Sequence, residues 1–374
     1  MENLGSRILL IVCFFLCIRC LGEEVIKLGI TLDKTKGLSV VTRDFVKAYN
    51  YVFDHADHQD HVKIKLKILD DKYLPAQALE NLKIFFRDMN IRILFGSVGT
   101  ATLEGCLDYI RKNSILTLFP ESGASVFHNK KSKNIINLWP MYFDVAYSLI
   151  KYAFKECSFD IKHIAIFYQN DSFGKELLSG AKKALNDISS KTKIVELAYQ
   201  RNDLNSISKI LKEINVNLCD TIVLFSTTRS AKEFIRVMKI ENLRNKRVLG
   251  YNTLEANKIR ERLKNEKVEI LIVNEIPNYQ TSELAIAQKF RNSGNQLPKN
   301  MYSFKAFLSA ELFVDVLKKI GHPITYKKIK SELESLEGYD FGGIPLTFNN
   351  DKRCLSNFVW MDRGEETWEQ VKLN

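Results

Sequence analysis

Residues 91–125, IRILFGSVGTATLEGCLDYIRKNSILTLFPESGAS, decide the fold. Residues 91–95 form a short apolar run that Gly96, Gly99 and Thr100 interrupt at once. A helical pattern starts at Thr100, with Leu103, Leu107 and Ile110 on one face. Glu104 stands in the first turn, where the helix dipole favours a carboxylate. A second apolar strand, 115–119, stops at Pro120 and opens the loop 121–125. Strand, tight loop, helix, strand, tight loop is the repeating unit of an open α/β sheet. In such sheets ligands sit where strands end, and a helix N-terminus offers free N–H groups to an anion.

The same rhythm extends both ways. Upstream, the pattern predicts a strand at 25–31, a loop at 32–38 and a helix carrying Phe45, Ala48, Tyr49 and Val52. A strand at 62–69 ends at Asp70-Asp71, and Pro75 starts a helix over 76–88. Downstream, an extended segment with Trp139-Pro140 leads into a helix at 143–157. Strands are then predicted at 163–168, 193–198, 221–225 and 247–251, with helices at 174–188, 204–214 and 230–240 between them. Regular alternation implies parallel strands joined by right-handed crossovers. Residues 268–277 read as an extended crossing back to the first half, which helices at 302–320 and 326–335 then join. Short strands and glycines end the chain. At 374 residues, two similar lobes are expected rather than one core.

Residues 1–22 have the form of a secretory signal: Arg7, an apolar core at 8–18, and Cys20-Leu21-Gly22 with small residues at −3 and −1. The core is too short to span a bilayer. A lipid anchor at Cys20 is the competing reading, which Arg19 fits badly. Export to the periplasm or the extracellular side is expected. The net charge is +11, but the lysines are scattered among acidic neighbours and form no aromatic-interleaved stripe, so a solvated surface is favoured over nucleic-acid binding. Beyond the signal, Cys106, Cys157, Cys219 and Cys354 lie far apart with no C-x-x-C, which argues against zinc and thioredoxin chemistry. Disulfides and buried free thiols both remain open. Asp54–His61 places His55, His58 and His61 at a spacing of three, a metal-binding pattern if helical, though a solvated connector is favoured. No G-x-S-x-G, H-E-x-x-H or P-loop motif is present, no cofactor is implied, and an enzyme is not expected.

Taken in order, several motifs resemble the extracytoplasmic solute-binding proteins of the leucine/isoleucine/valine-binding type, the type I periplasmic-binding fold. They are Asp70-Asp71 before Pro75, Gly96 with Thr100, Phe119-Pro120-Glu121-Ser122-Gly123, Asn170-Asp171-Ser172-Phe173-Gly174, and Phe341-Gly342-Gly343-Ile344. The resemblance spans about residues 24 to 362. It implies two α/β lobes with parallel central sheets, joined by three crossovers and closing over a small molecule. Lobe one would comprise 23–138 and 276–343, and lobe two 139–275 and 344–374.

By the same resemblance, Thr100, Ser122 and Gly123 would hold a ligand carboxylate, and Phe173 would pack on the ligand from lobe two. Taken alone, Thr100 reads equally as an ordinary N-cap and Phe173 as core filling. Asn252 falls where amino-acid binders carry an acid for the ligand's ammonium, which puts an α-amino acid in doubt. Glu121 is read either as the missing counter-charge or as a solvated loop carboxylate. Thr227 stands where an aromatic often lines the pocket, and Tyr302, heading the long helix, completes the candidate set. The implied function is capture of a small polar solute, an amino acid, amide or relative, for delivery to an ABC transporter permease. Presentation of the closed form to a signalling receptor is the alternative.

Overall fold

The computed structural model describes residues 24–56, 62–159, 162–188, 191–201, 203–213, 218–251, 259–261, 268–366 and 368–373. The expected signal at 1–22, and with it His58, His61 and Asn252, lies outside the described residues.

The first half alternates β1 (Glu24–Leu32), α1 (Ser39–Ala56), β2 (Val62–Asp70), α2 (Pro75–Lys83), β3 (Ile93–Phe95), α3 (Thr100–Lys112), β4 (Leu116–Leu118) and β5 (Ile135–Ile136). Its strands form one parallel sheet in the order β2-β1-β3-β4-β5. The second half runs α4 (Tyr142–Lys155), β6 (His163–Gln169), α5 (Ser172–Ile188), β7 (Lys193–Tyr199), α6 (Asn205–Glu213), β8 (Thr221–Phe225), α7 (Thr228–Met238), β9 (Arg247–Tyr251) and β10 (Glu269–Asn274). The chain then adds α8 (Ala285–Arg291), α9 (Met301–Lys319), α10 (Tyr326–Glu334), the hairpin β11 (Tyr339–Phe341) and β12 (Ile344–Leu346), then β13 (Phe358–Asp362) and β14 (Glu369–Lys372). The second sheet has the order β14-β13-β10-β9-β8-β6-β7, parallel from β10 to β7 and closed at its other side by antiparallel β13 and β14. Two lobes with parallel central sheets are therefore present.

The expected helix over 76–88 is corrected in one respect. It is α-helical only to Lys83 and widens into a π-helical turn, Ile84–Asp88. The wider turn gives two successive rings separate apolar neighbours. Phe85 is buried over Gly29 of β1, while Phe86 meets the edge of Tyr109.

The core of the first lobe is built on α9, buried along most of its length and packed on α1. Phe95, fully buried at the end of β3, is its aromatic centre. Its ring centroid lies 5.2 Å from Tyr49, 5.5 Å from Phe53, 5.3 Å from Phe313 and 5.9 Å from Phe119. A second cluster joins the lobes, with Leu103, Leu107 and Ile110 of α3 in the same apolar body as Leu149, Ile150 and Leu177 of α4 and α5.

Three crossovers connect the sheets, after β5, after β10 and after β12. The first and third run side by side. Asn137 N–H donates to the Arg353 carbonyl, Leu355 N–H to Asn137 and Ser356 N–H to Leu138. Cys106, Cys157, Cys219 and Cys354 are all free thiols, Cys157 half-buried and the others buried.

Candidate functional site

The strand ends of both sheets meet around Tyr142, the first residue of α4. On the lobe-one side, Gly99 is the N-cap of α3 with φ of 115°, a conformation that suits glycine, and no side chain caps the helix. A Cβ there would fall 2.6 Å from Thr102 Oγ1 and 2.8 Å from the Tyr73 ring. Thr100 is thus the first helical residue and not the cap, which leaves its hydroxyl free of that role. Its Oγ1 lies 2.9 Å from Ser122 Oγ and 3.5 Å from Tyr142 OH. The Gly123 carbonyl accepts the Tyr142 N–H, so the 121–125 loop seats the head of α4.

On the lobe-two side, the Asn170–Gly174 turn presents Phe173. Asp171 accepts from Gln169 Nε2 at 2.6 Å, and a Cβ on Gly174 would stand 2.1 Å from the Gln169 carbonyl oxygen. Only glycine allows that approach, which is the physical content of the motif. Phe173 meets Tyr142 edge-on at 5.1 Å, and Tyr251, ending β9, packs on both rings. Thr100, Ser122, Gly123 and Phe173 are thereby brought together.

Thr227 and Tyr302 belong to a different part of the rim. Thr227 is the N-cap of α7 and donates its N–H to Tyr199 OH. Its neighbour Thr228 shares a 2.7 Å hydrogen bond with Tyr302 OH across the lobes. Two further contacts cross the cleft. Both Ser125 N–H and its hydroxyl donate to the Glu176 carboxylate on α5, at 2.8 Å in the shorter cases. The Arg201 guanidinium lies 4.9 Å over the Tyr73 ring, with its Nη1 buried and without a hydrogen-bond partner.

Glu121 is buried, so it is not the solvated loop carboxylate that one reading allowed. Its Oε2 is 2.8 Å from Lys305 Nζ, whose other partner, Glu275 Oε2, is at 2.5 Å, and Trp139 Nε1 donates to Glu121 Oε1 at 3.4 Å. Burial works against the Lys305 ammonium, but Glu121 and Glu275 outweigh it and hold its pKa above the ordinary value. Burial raises the Glu121 pKa against the pull of Lys305. Burial, with Glu275 next, also raises Tyr142 and Tyr251, so both stay neutral hydroxyls.

Lys305, Glu275, Tyr142, Tyr251 and Arg201 were not among the residues expected from sequence. One signal was present: Lys305 is a lone charge in the apolar first half of α9, and Glu275 ends an apolar strand just before Pro277. No group of three His, Cys, Asp or Glu able to hold a metal occurs among the described residues. His55 is exposed, with Nδ1 on the Tyr51 carbonyl.

Two buried groups behind these loops titrate in opposite senses. Burial lowers the His128 pKa from 6.5 to about 4, against hydrogen bonds with the Ser122 and Lys352 backbone. The unfolded imidazole takes up a proton first, so its contribution is present above 6.5 and lost as pH falls through 4. Burial raises the Asp71 pKa to about 6, against the Tyr73 N–H and Thr31 hydroxyl that favour its charged form. Its contribution is full below 3.8 and lost as pH rises through 6. His128→Asn is expected to shrink the fall in melting temperature between neutral pH and about pH 5. A pH profile identical to that of the parent protein would remove His128 from this role.

Comparison with known proteins places these features in context. Residues 25–361 match the family model described as periplasmic binding protein. No curated protein sequence matches the chain. Among solved structures, one described as a possible leucine/isoleucine/valine-binding protein from Rhodopirellula baltica SH 1 is similar, with a TM-score of 0.81 and 21% identity over 94% of this chain and 97% of the other. A substrate-binding periplasmic protein from Ralstonia solanacearum gives 0.79 and 18% over 93% and 99%. A fatty acid ABC transporter substrate-binding protein from Thermomonospora curvata gives 0.77 and 16% over 94% and 92%. At these identities the likeness is one of fold.

Proposed function

The chain belongs to the periplasmic binding protein family, and on that premise we propose that it captures a small polar solute between its lobes and delivers it to an ABC importer. The family is one of non-enzymatic substrate-binding proteins that take small ligands for ABC transporters. Delivery to a permease and export through residues 1–22 are part of the proposal. No described helix is long and apolar enough to cross a membrane.

The observation that carries this reading is the meeting of Thr100 and Ser122 with Phe173 and Tyr251 around one tyrosine. Hydroxyls at an uncapped helix N-terminus supply direction to a polar group, and rings from the facing lobe supply apolar area. A solute touching both sides stabilises the closed form, because only a ligand with differential affinity shifts such an equilibrium. Solved structures of the same fold include one described as a possible leucine/isoleucine/valine-binding protein and one as a fatty acid ABC transporter substrate-binding protein, so fold alone leaves the solute's chemistry open.

The test is a thermal-shift screen of the mature chain against amino acids, amides, urea, short peptides and simple carboxylic acids. A captured solute raises the melting temperature by mass action. Absence of any shift, together with accumulation of a reaction product, would overturn the proposal. With a carboxylate solute in hand, Thr100→Ala is expected to weaken binding by about 1–3 kcal/mol, the cost of an acceptor left unpaired. Calorimetry showing unchanged affinity would take Thr100 out of the site.

A further inference from the structure

Lys305 reaches from α9 to the floor of the cleft, where it meets a carboxylate from each of two separate segments. Glu121 comes from the lobe-one loop that also carries Ser122, and Glu275 from the crossover that follows β10. The site is dry: Lys305, Glu121 and Glu275 side chains are 12%, 5% and 1% exposed. The ammonium also lies 5.3 Å from the centre of the Trp139 ring on the first crossover. Glu275 acts on Tyr142 and Tyr251, and Thr100 and Phe173 touch Tyr142, so this cluster borders the site just described.

We infer that Lys305 is a built-in ammonium group that already engages the carboxylates beside the binding site, and that the chain therefore takes an acid or amide without an amino group. An incoming ammonium group would have to displace Lys305, a tethered competitor held at 2.5 and 2.8 Å. Arg201 adds an independent observation. Its buried Nη1 has no hydrogen-bond partner, and its guanidinium lies over the ring of Tyr73, which in turn packs close to Gly99 at the head of α3. A guanidinium nitrogen without an acceptor matches a carboxylate and opposes a cation. Among the described residues, Asp171 at that rim accepts from Gln169 Nε2, and Glu176 accepts from Ser125.

This inference rests on the solute-capture reading, and a paired screen separates the two. Each member of a set of amino acids is compared with its counterpart lacking the amino group, for example leucine with 4-methylpentanoate and glutamate with glutarate. The expected result is that the acids, or their amides, shift melting and bind at least about tenfold more tightly than the amino acids. Amino acids binding as tightly as their counterparts would overturn the role of Lys305 and leave solute capture standing. A blank across both sets would overturn solute capture itself. A second arm uses Lys305→Ala, which opens the ammonium position. n-Propylammonium chloride is expected to raise the melting temperature of the variant by several degrees, with no effect on the parent beyond a sodium chloride control. Failure of the amine to rescue a folded Lys305→Ala would overturn the inference. Should the variant not fold, the paired screen on the parent decides alone.

Discussion

Phe95→Ala is expected to lower folding stability by about 3–5 kcal/mol, measured by urea denaturation monitored in the far ultraviolet. The ring is fully buried and is in edge or tilted contact with Tyr49, Phe53, Phe119 and Phe313, from α1, the end of β4 and α9. Those neighbours belong to separate elements that are themselves tightly packed, so they have little room to collapse into the space. The cost therefore contains a cavity contribution beside lost transfer energy, and aromatic pairing adds to it. A loss below about 1 kcal/mol would mean that this aromatic centre does not hold α9 to the sheet.

Lys305→Met should have an effect of the same size, by a different route. Removing one partner of a buried ion cluster leaves charge uncompensated, typically at about 3–5 kcal/mol. Here Glu121 and Glu275 would be left facing the neutral hydroxyls of Tyr142 and Tyr251. Burial already raises the Glu121 pKa, and without the ammonium that opposes it Glu121 resists ionisation further. Its contribution is then full at low pH and lost as pH rises through the folded value. The deficit of the variant should be smaller near pH 4 than near pH 7. A deficit independent of pH would show that Lys305 acts through packing of its stem alone.

The fold was legible because its signals are local. The apolar run before Gly96, the helical spacing from Leu103 to Ile110 and the Asn170–Gly174 turn each lie within a few residues, and each corresponds to an element of the structure. The π-helical turn was hidden, because Ile84, Phe85 and Phe86 fit an ordinary helix by spacing, and nothing in that spacing marks the wider turn that seats Phe85 over Gly29. The structure likewise brings Thr100 and Ser122 together, as the motifs that carry them implied. The ion cluster was not legible. Glu121 and Lys305 are brought together only by the docking of α9, which no pattern within either segment encodes, so the sequence left Glu121 between two readings. Arg201 was missed for the same reason, since its partner Tyr73 belongs to the other lobe.

Because Glu176, Thr228 and Arg201 fasten the lobes to each other through Ser125, Tyr302 and Tyr73, a solute captured as proposed would leave only once the protein unfastens itself. Residence time would then be governed by a gate common to every cargo. Chemically different solutes of unequal affinity should wash out at similar rates, with their preferences expressed in how fast they enter.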